Sequence, residues 1–178
     1  VLFADVPADN WAALYIYALA NSAVTSGCGA GNYCPEATTT RAQMAVFIIK
    51  AMGQTPSAAA YDAYFTDIAN DGFAPYINRL FELGVTWGCG ANVFCPSDAV
   101  SRAQMAVFIV KAMGETPSAA AYDAYFTDIA NDAFAPYINR LFELGITWGC
   151  GTNIYCPSDQ VSRAQMAVFV GKAFLGLP

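Results

Sequence analysis

Internal repetition with a period of 61 residues constrains this chain more than any other feature. The heptapeptide Arg41-Ala42-Gln43-Met44-Ala45-Val46-Phe47 returns unchanged at 102–108 and at 163–169. Cys28, Cys89 and Cys150 keep the same spacing, as do Cys34, Cys95 and Cys156. Phe3-Ala4-Asp5-Val6 has counterparts in Phe65-Thr66-Asp67-Ile68 and Phe126-Thr127-Asp128-Ile129. A repeat of this kind cannot bury its apolar face alone and must stack against its neighbours. Three copies, at residues 1–53, 54–114 and 115–178, therefore predict a mainly α, pseudo-threefold bundle of helix–loop–helix units. The first copy is the divergent one. It reads as carrying one extra residue between Trp11 and Tyr15 relative to Phe73 and Tyr76.

Within each copy the first helix is marked by Ile77, Leu80 and Phe81 at helical spacing, with Pro75 in its opening turn and Gly84 just past its end. Ile138, Leu141, Phe142 and Gly145 repeat this, and Ile16, Leu19 and Ala20 give a weaker version. The second helix opens at Thr40, Ser101 or Ser162, each followed three residues later by Gln43, Gln104 or Gln165. That spacing is a capping box, in which hydroxyl and amide satisfy orphan backbone donors. The following segment, Met44-Ala45-Val46-Phe47-Ile48-Ile49, is apolar on nearly every side and so belongs at the centre. The first helices are placed outside it.

Composition narrows the chemistry. With 8 basic and 14 acidic residues, the chain cannot build a nucleic-acid footprint. The dense apolar stretch ending at Lys50 falls far short of the ~18–20 residues of a membrane span. There is no histidine, which removes the commonest general base and metal ligand. Six cysteines in such a chain point to an oxidising compartment. The pairs Cys28/Cys34, Cys89/Cys95 and Cys150/Cys156 read as local disulfides, each worth about 2–2.5 kcal/mol by loop closure. Intermolecular pairing and zinc are the alternatives, and two thiols per copy fall short of the usual four ligands. Gly29, Gly90 and Gly151 are read as giving these loops their turning freedom.

Arg41, Arg102 and Arg163 occupy the first helical position, where a cation opposes the helix dipole by about 0.3–1 kcal/mol. Two roles follow. One is a salt bridge to Asp5, Asp67 or Asp128; the other is an anion held jointly by guanidinium and helix N-terminus. The clusters Asp67/Asn70/Asp71, Asp128/Asn131/Asp132 and Asp5/Asp9/Asn10 do not match a calcium loop and read as helix caps, with calcium as the alternative. Trp11, Phe73 and Phe134 open the first helices, and Trp87 and Trp148 flank the cysteine loop. Core packing is the default role of any single ring, and a sugar-stacking platform is its rival.

The assembled pattern Phe3-Ala4-Asp5-Val6…Trp11-Ala12…Ile16…Val24-Thr25-Ser26-Gly27…Pro35…Thr40-Arg41-Ala42-Gln43, repeated twice more, resembles the S-layer homology family over essentially the whole chain. The resemblance implies a non-catalytic, three-repeat spindle at the bacterial cell surface. It further implies inter-repeat grooves that bind cell-wall polysaccharide, often pyruvylated. Arg41, Arg102 and Arg163 would meet the ligand carboxylate, while Asp5, Asp67 and Asp128 with Trp11, Phe73 and Phe134 would shape the groove. No cofactor is implied, and carboxylate-pair catalysis is not expected. The glutamines replace a commoner Glu, and the cysteine loop departs from the usual pattern. The repeats are expected to use up the chain and leave no cargo, and a chain that opens directly into Phe3-Ala4-Asp5-Val6 is expected to be a mature or trimmed form if it is secreted. Together with 56% hydrophobic and 12% charged residues, this gives the leading expectation of a subunit that self-associates into a layer or filament. The wall-glycan anchor is the alternative. On the first reading, the connectors with Tyr61, Tyr64, Tyr122 and Tyr125, and the end faces, are contacts between copies.

Overall fold

The structure is a computed structural model and describes residues 2–178. Six α-helices follow one another: α1 Ala13–Asn21, α2 Arg41–Ala51, α3 Ala74–Glu82, α4 Arg102–Ala112, α5 Ala135–Glu143 and α6 Arg163–Phe174. There is no strand among the described residues, only isolated bridges. The capping boxes form at all three second helices, with Thr40, Ser101 and Ser162 accepting from the backbone N–H of Gln43, Gln104 and Gln165. Pro75 sits in the first turn of α3, and Gly84 follows its end with φ 71°.

The helices α2, α4 and α6 meet in the middle, and each carries one first helix on its outer side. Those close pairs are formed between repeats, not within them: α2 with α3, α4 with α5, and α6 with α1. The last pair closes the ring by joining the two ends of the chain. Gly171 makes room for it where the other two central helices carry Ile49 and Val110, because a Cβ there would lie 2.9 Å from the Tyr15 ring. The Tyr15 hydroxyl also donates to the carbonyl of Pro178.

A cyclic set of backbone hydrogen bonds ties the three repeats beside the N-termini of the central helices. Thr39 N–H donates to Val161 O (2.9 Å), Val161 N–H to Val100 O (2.9 Å), and Val100 N–H to Thr39 O (3.0 Å). All three side chains are fully buried, but the Thr39 hydroxyl has no hydrogen-bond partner. The other two repeats place valine here. Thr39→Val removes a buried, unpaired hydroxyl at nearly constant shape, so it is expected to stabilise the fold by about 1–2 kcal/mol. Thermal denaturation should then shift upward by roughly 2–8 °C. An unchanged or lowered melting temperature would contradict this account of the site.

The connectors are strapped down. Asn78 is buried and donates to Ala60 O (2.9 Å), Ser57 N–H donates to Pro75 O (2.9 Å), and Arg79 reaches Gln54 (2.9 Å). The second connector repeats this, with an Arg140–Glu115 ion pair at 2.7 Å in place of the glutamine contact. Tyr64 and Tyr125 are half-buried, stacking on Phe81 (4.4 Å) and Phe142 (4.5 Å), so of the four connector tyrosines only Tyr61 and Tyr122 stay exposed.

Candidate functional site

Each cysteine loop is closed by its own disulfide, Cys28–Cys34, Cys89–Cys95 and Cys150–Cys156. The second cysteine of each has a left-handed backbone, with φ of 59°, 58° and 59°. That conformation is unfavourable for a residue with a Cβ and must be held from outside. The holder is the repeat's own aspartate. Asp5 accepts the N–H groups of Tyr33 (2.8 Å) and Cys34 (2.7 Å), one on each oxygen. Asp67 grips Phe94 and Cys95, and Asp128 grips Tyr155 and Cys156, in the same way. Burial alone would raise the pKa of the Asp5 carboxyl, but the two N–H donors, with Arg163 nearby, outweigh it and hold the group below its ordinary value.

The required glycine is not the one expected from the sequence. Gly27, Gly88 and Gly149, which precede the first cysteine, have φ of 89°, 91° and 87°. A Cβ on them would lie 2.2–2.3 Å from the carbonyl oxygen of Asn32, Val93 or Ile154. Gly29, Gly90 and Gly151, after that cysteine, have far more room. Gly29 meets nothing within 4 Å, although its φ is 118°, and Gly90 and Gly151 are closest to Val93 (3.1 Å) and Ile154 (3.9 Å).

Arginine reads this loop from the neighbouring repeat. Arg41 Nε donates to Phe94 O (2.7 Å), Arg102 Nε to Tyr155 O (2.8 Å) and Arg163 Nε to Tyr33 O (2.8 Å). Each guanidinium also lies 4.7 Å from the centroid of that same ring. The tyrosines return the contact, Tyr33 and Tyr155 donating to the carbonyls of Arg163 and Arg102 at 2.8 Å. Phe94 has no hydroxyl to do so. Burial raises the pKa of Tyr33 and Tyr155, keeping both phenols protonated.

Both roles considered for the arginines are thereby revised. None forms a salt bridge with Asp5, Asp67 or Asp128; the two partners are connected through the loop residue between them. The helix N-terminus holds no anion either, because its donors are taken. Arg41 and Ala42 N–H donate to Asp98 O (2.9 Å) and Pro96 O (3.0 Å), and the N–H groups of Arg102, Ala103, Arg163 and Ala164 find equivalent loop carbonyls. What is left over includes one buried guanidinium nitrogen per arginine. Nη2 of Arg41, Arg102 and Arg163 is buried without a hydrogen-bond partner. Burial lowers the pKa of Arg41 and Arg163, so an arriving anion would relieve a desolvated charge.

Three grooves open on these arginines. The first, of about 350 Å³, is lined by Arg41, Trp87, Gln104, Phe108, Lys111 and Phe134 among others. The second, about 230 Å³, has Arg102, Trp148, Gln165, Phe169, Lys172 and Trp11 in the matching places. The third, about 410 Å³, has Arg163, Ser26, Gln43, Phe47, Lys50 and Phe73. Every groove thus draws on all three repeats. Each central helix serves two of them, because Arg41 and Lys50 are nine residues apart, two and a half turns, and face opposite sides.

Trp11, Phe73 and Phe134 do line the grooves, but Trp11 arrives differently. Ala12, not Trp11, stands at the helix-capping position of Phe73. The Asn10 side chain accepts from Ala12 N–H as that of Asp71 accepts from Phe73 N–H, which places the extra residue between Asp5 and Asn10. Asp132 and Phe134 match the second repeat. These side chains form turns two residues ahead of the cap and are not themselves caps. Asp5, Asp67 and Asp128 are not among the groove-lining residues; they position the loop that the arginine reads. The cluster Asp5, Cys28 and Cys34 is close enough to hold a metal, but its two sulfurs are joined in a disulfide and supply no thiolate. The lysines carried no signal in the sequence, since nothing there says which repeat faces which.

A closed ring of three helical repeats, with a cationic groove at each junction, is the class of protein defined here. The chain belongs to the S-layer homology domain family, whose model matches residues 2–45, 64–106 and 125–167. It is similar to an endoglucanase of Bacillus sp. (strain KSM-635), 30% identical over 74% of this chain and 14% of that protein. An S-layer protein of Bacillus thuringiensis subsp. finitimus is 28% identical over 96% of this chain and 21% of its own length. A surface layer protein of Brevibacillus choshinensis is 31% identical over 53% and 9%. The chain therefore spans a minor part of these relatives, and the enzyme name belongs to the longer protein. Its place is the bacterial cell surface, and domains of this family bind cell-wall polysaccharide. No helix among the described residues is long and apolar enough to cross a membrane.

Proposed function

We propose that this chain is a non-catalytic anchor that holds an anionic cell-wall polysaccharide in its three inter-repeat grooves. The observation that carries the reading is where the cations are. The chain has 8 lysines and arginines in a net charge of −6. Arg79 and Arg140 are ion-paired with glutamates on the outer helices. The other six, Arg41, Arg102, Arg163, Lys50, Lys111 and Lys172, fall in pairs, one arginine and one lysine per groove, and no acid lines any groove. In an acidic protein this concentrates positive field where a carboxylate would sit. Arg41, Arg102 and Arg163 meet the carboxylate, the lysines add charge at the mouth, and Trp11, Phe73 and Phe134 offer faces to a sugar ring. Asp5, Asp67 and Asp128 act by fixing the loop.

Retention on purified cell walls tests this. Wild type should be retained, and the combination Lys50→Gln, Lys111→Gln and Lys172→Gln should weaken retention by about tenfold or more, since charge at these sites is only partly screened. The lysines are only half-buried, so this variant keeps the fold where Arg102→Ala plus Arg163→Ala endangers it. Failure of wild type to be retained, or indifference to the lysines, opposes the anchor.

The self-associating subunit is a second reading, favoured by one observation. The C-terminal ends of α2, α4 and α6 form an apolar depression of Ala51, Met52, Ala112, Met113, Ala173 and Phe174. The same repeats make up a small part of far longer relatives, so the lack of cargo in these 178 residues does not favour a building block. Light scattering separates the readings: a monomer of 18.9 kDa at high concentration opposes assembly.

A further inference from the structure

The three grooves share a plan but not their walls. We infer that the groove of Arg102 is the principal binding site, taking an acidic sugar ring against the paired indoles of Trp11 and Trp148. This rests on the anchor reading and ranks the sites within it. Trp11 is 61% exposed and Trp148 is 68% exposed, and both line this one groove. The chain has three tryptophans, so two of them, drawn from the first and third repeats, converge on a single cleft. Covering the apolar surface of a large exposed indole is favourable, and the apolar face of a pyranose ring suits such a surface.

The other two grooves are poorer in aromatic surface. The Arg41 groove pairs Trp87 with Phe134, and the Arg163 groove has Phe73 opposite Ser26, with no indole at all. The Arg102 groove is also the smallest of the three, about 230 Å³ against 350 and 410 Å³, so its two indoles make up a larger share of its wall. Its arginine is held as firmly as that of the Arg163 groove, where Tyr33 donates to the Arg163 carbonyl. Arg102 is 5% exposed, its Nη2 is unpartnered, and Tyr155 locks its backbone carbonyl. Phe94 leaves Arg41 without that lock. Only the Arg102 groove combines two indoles, the tyrosine lock and a free buried guanidinium nitrogen.

Two variants of the full chain test the ranking with tryptophan fluorescence, using polysaccharide released from purified cell walls as the probe. Trp87→Phe leaves both remaining indoles in the Arg102 groove. Trp11→Phe with Trp148→Phe leaves Trp87 alone, in the Arg41 groove. The first variant should respond at the lowest glycan concentrations. The second should need roughly tenfold more, and calorimetry on Trp11→Ala or Trp148→Ala should lose the tightest binding by a similar factor. Wild-type-like melting curves check folding, which the exposure of these side chains favours. Equal responses from both variants, or a tightest site lost with Trp87→Ala, overturn the ranking and leave the anchor reading intact. No binding by wild type overturns both.

Discussion

Replacing all six cysteines by serine is expected to lower the melting temperature by roughly 15–25 °C. Each disulfide joins residues six apart in sequence, and closing so short a loop removes about 2–2.5 kcal/mol of unfolded-state entropy. The loops sit in three separate repeats, so their contributions should be close to additive. A domain of this size shifts by about 2–4 °C per kcal/mol. The native state adds a second reason. Cys34, Cys95 and Cys156 are held in left-handed conformations, and without the crosslink the aspartate carboxylates must hold them alone. Replacing only Cys89 and Cys95 should give about a third of the shift. Calorimetry that finds less than about 5 °C for the six-fold variant would show that the aspartates and arginines suffice to order the loops.

Gly149→Ala, like the same change at Gly27 or Gly88, should be among the most damaging single methyl groups that can be added to a loop. Its Cβ would lie 2.3 Å from Ile154 O and 2.8 Å from the Phe126 ring, in a backbone with φ 87°. Neither neighbour can step aside. The carbonyl of Ile154 accepts the N–H of Cys150 (2.8 Å), and Phe126 is buried beside Tyr155 (5.4 Å) and Phe142 (5.5 Å). Left-handed strain and overpacking together should cost about 3–5 kcal/mol, or roughly 6–20 °C. Gly151→Ala, two residues away, meets nothing nearer than 3.9 Å and should stay within about 1 kcal/mol of wild type. Equal effects at the two positions would mean that the loop yields and that its shape is not fixed by close contact.

These two glycines also mark how far the sequence could be read. Both recur with the repeat, and nothing in the order of residues says which one lies against a carbonyl from across the loop. The same limit applies to Trp11. An alignment by residue type sets it beside Phe73, and the hydrogen bond from Ala12 N–H to Asn10 moves it by one position. Its place in the groove survives because the chain brings the ring there from a neighbouring register.

By itself the sequence determined the repeat number, the helix starts and the disulfide pairing, each of which depends on near neighbours along the chain. Repeat number follows from the 61-residue period, helix starts from the Thr/Ser-x-x-Gln boxes, and disulfide pairing from cysteines six apart. These are local devices, acting over a turn or a short loop, where spacing fixes geometry. The tertiary structure decided what each arginine does. Arg41 meets Phe94, Arg163 meets Tyr33, and Lys172 shares a groove with Arg102 and Trp11 because three central helices pack around one axis and the chain ends close the ring. The arginine hydrogen bonds alone join residues up to 130 positions apart. Their pairing is set by which apolar faces bury one another, a choice that the repeating pattern makes possible three times over and only packing resolves.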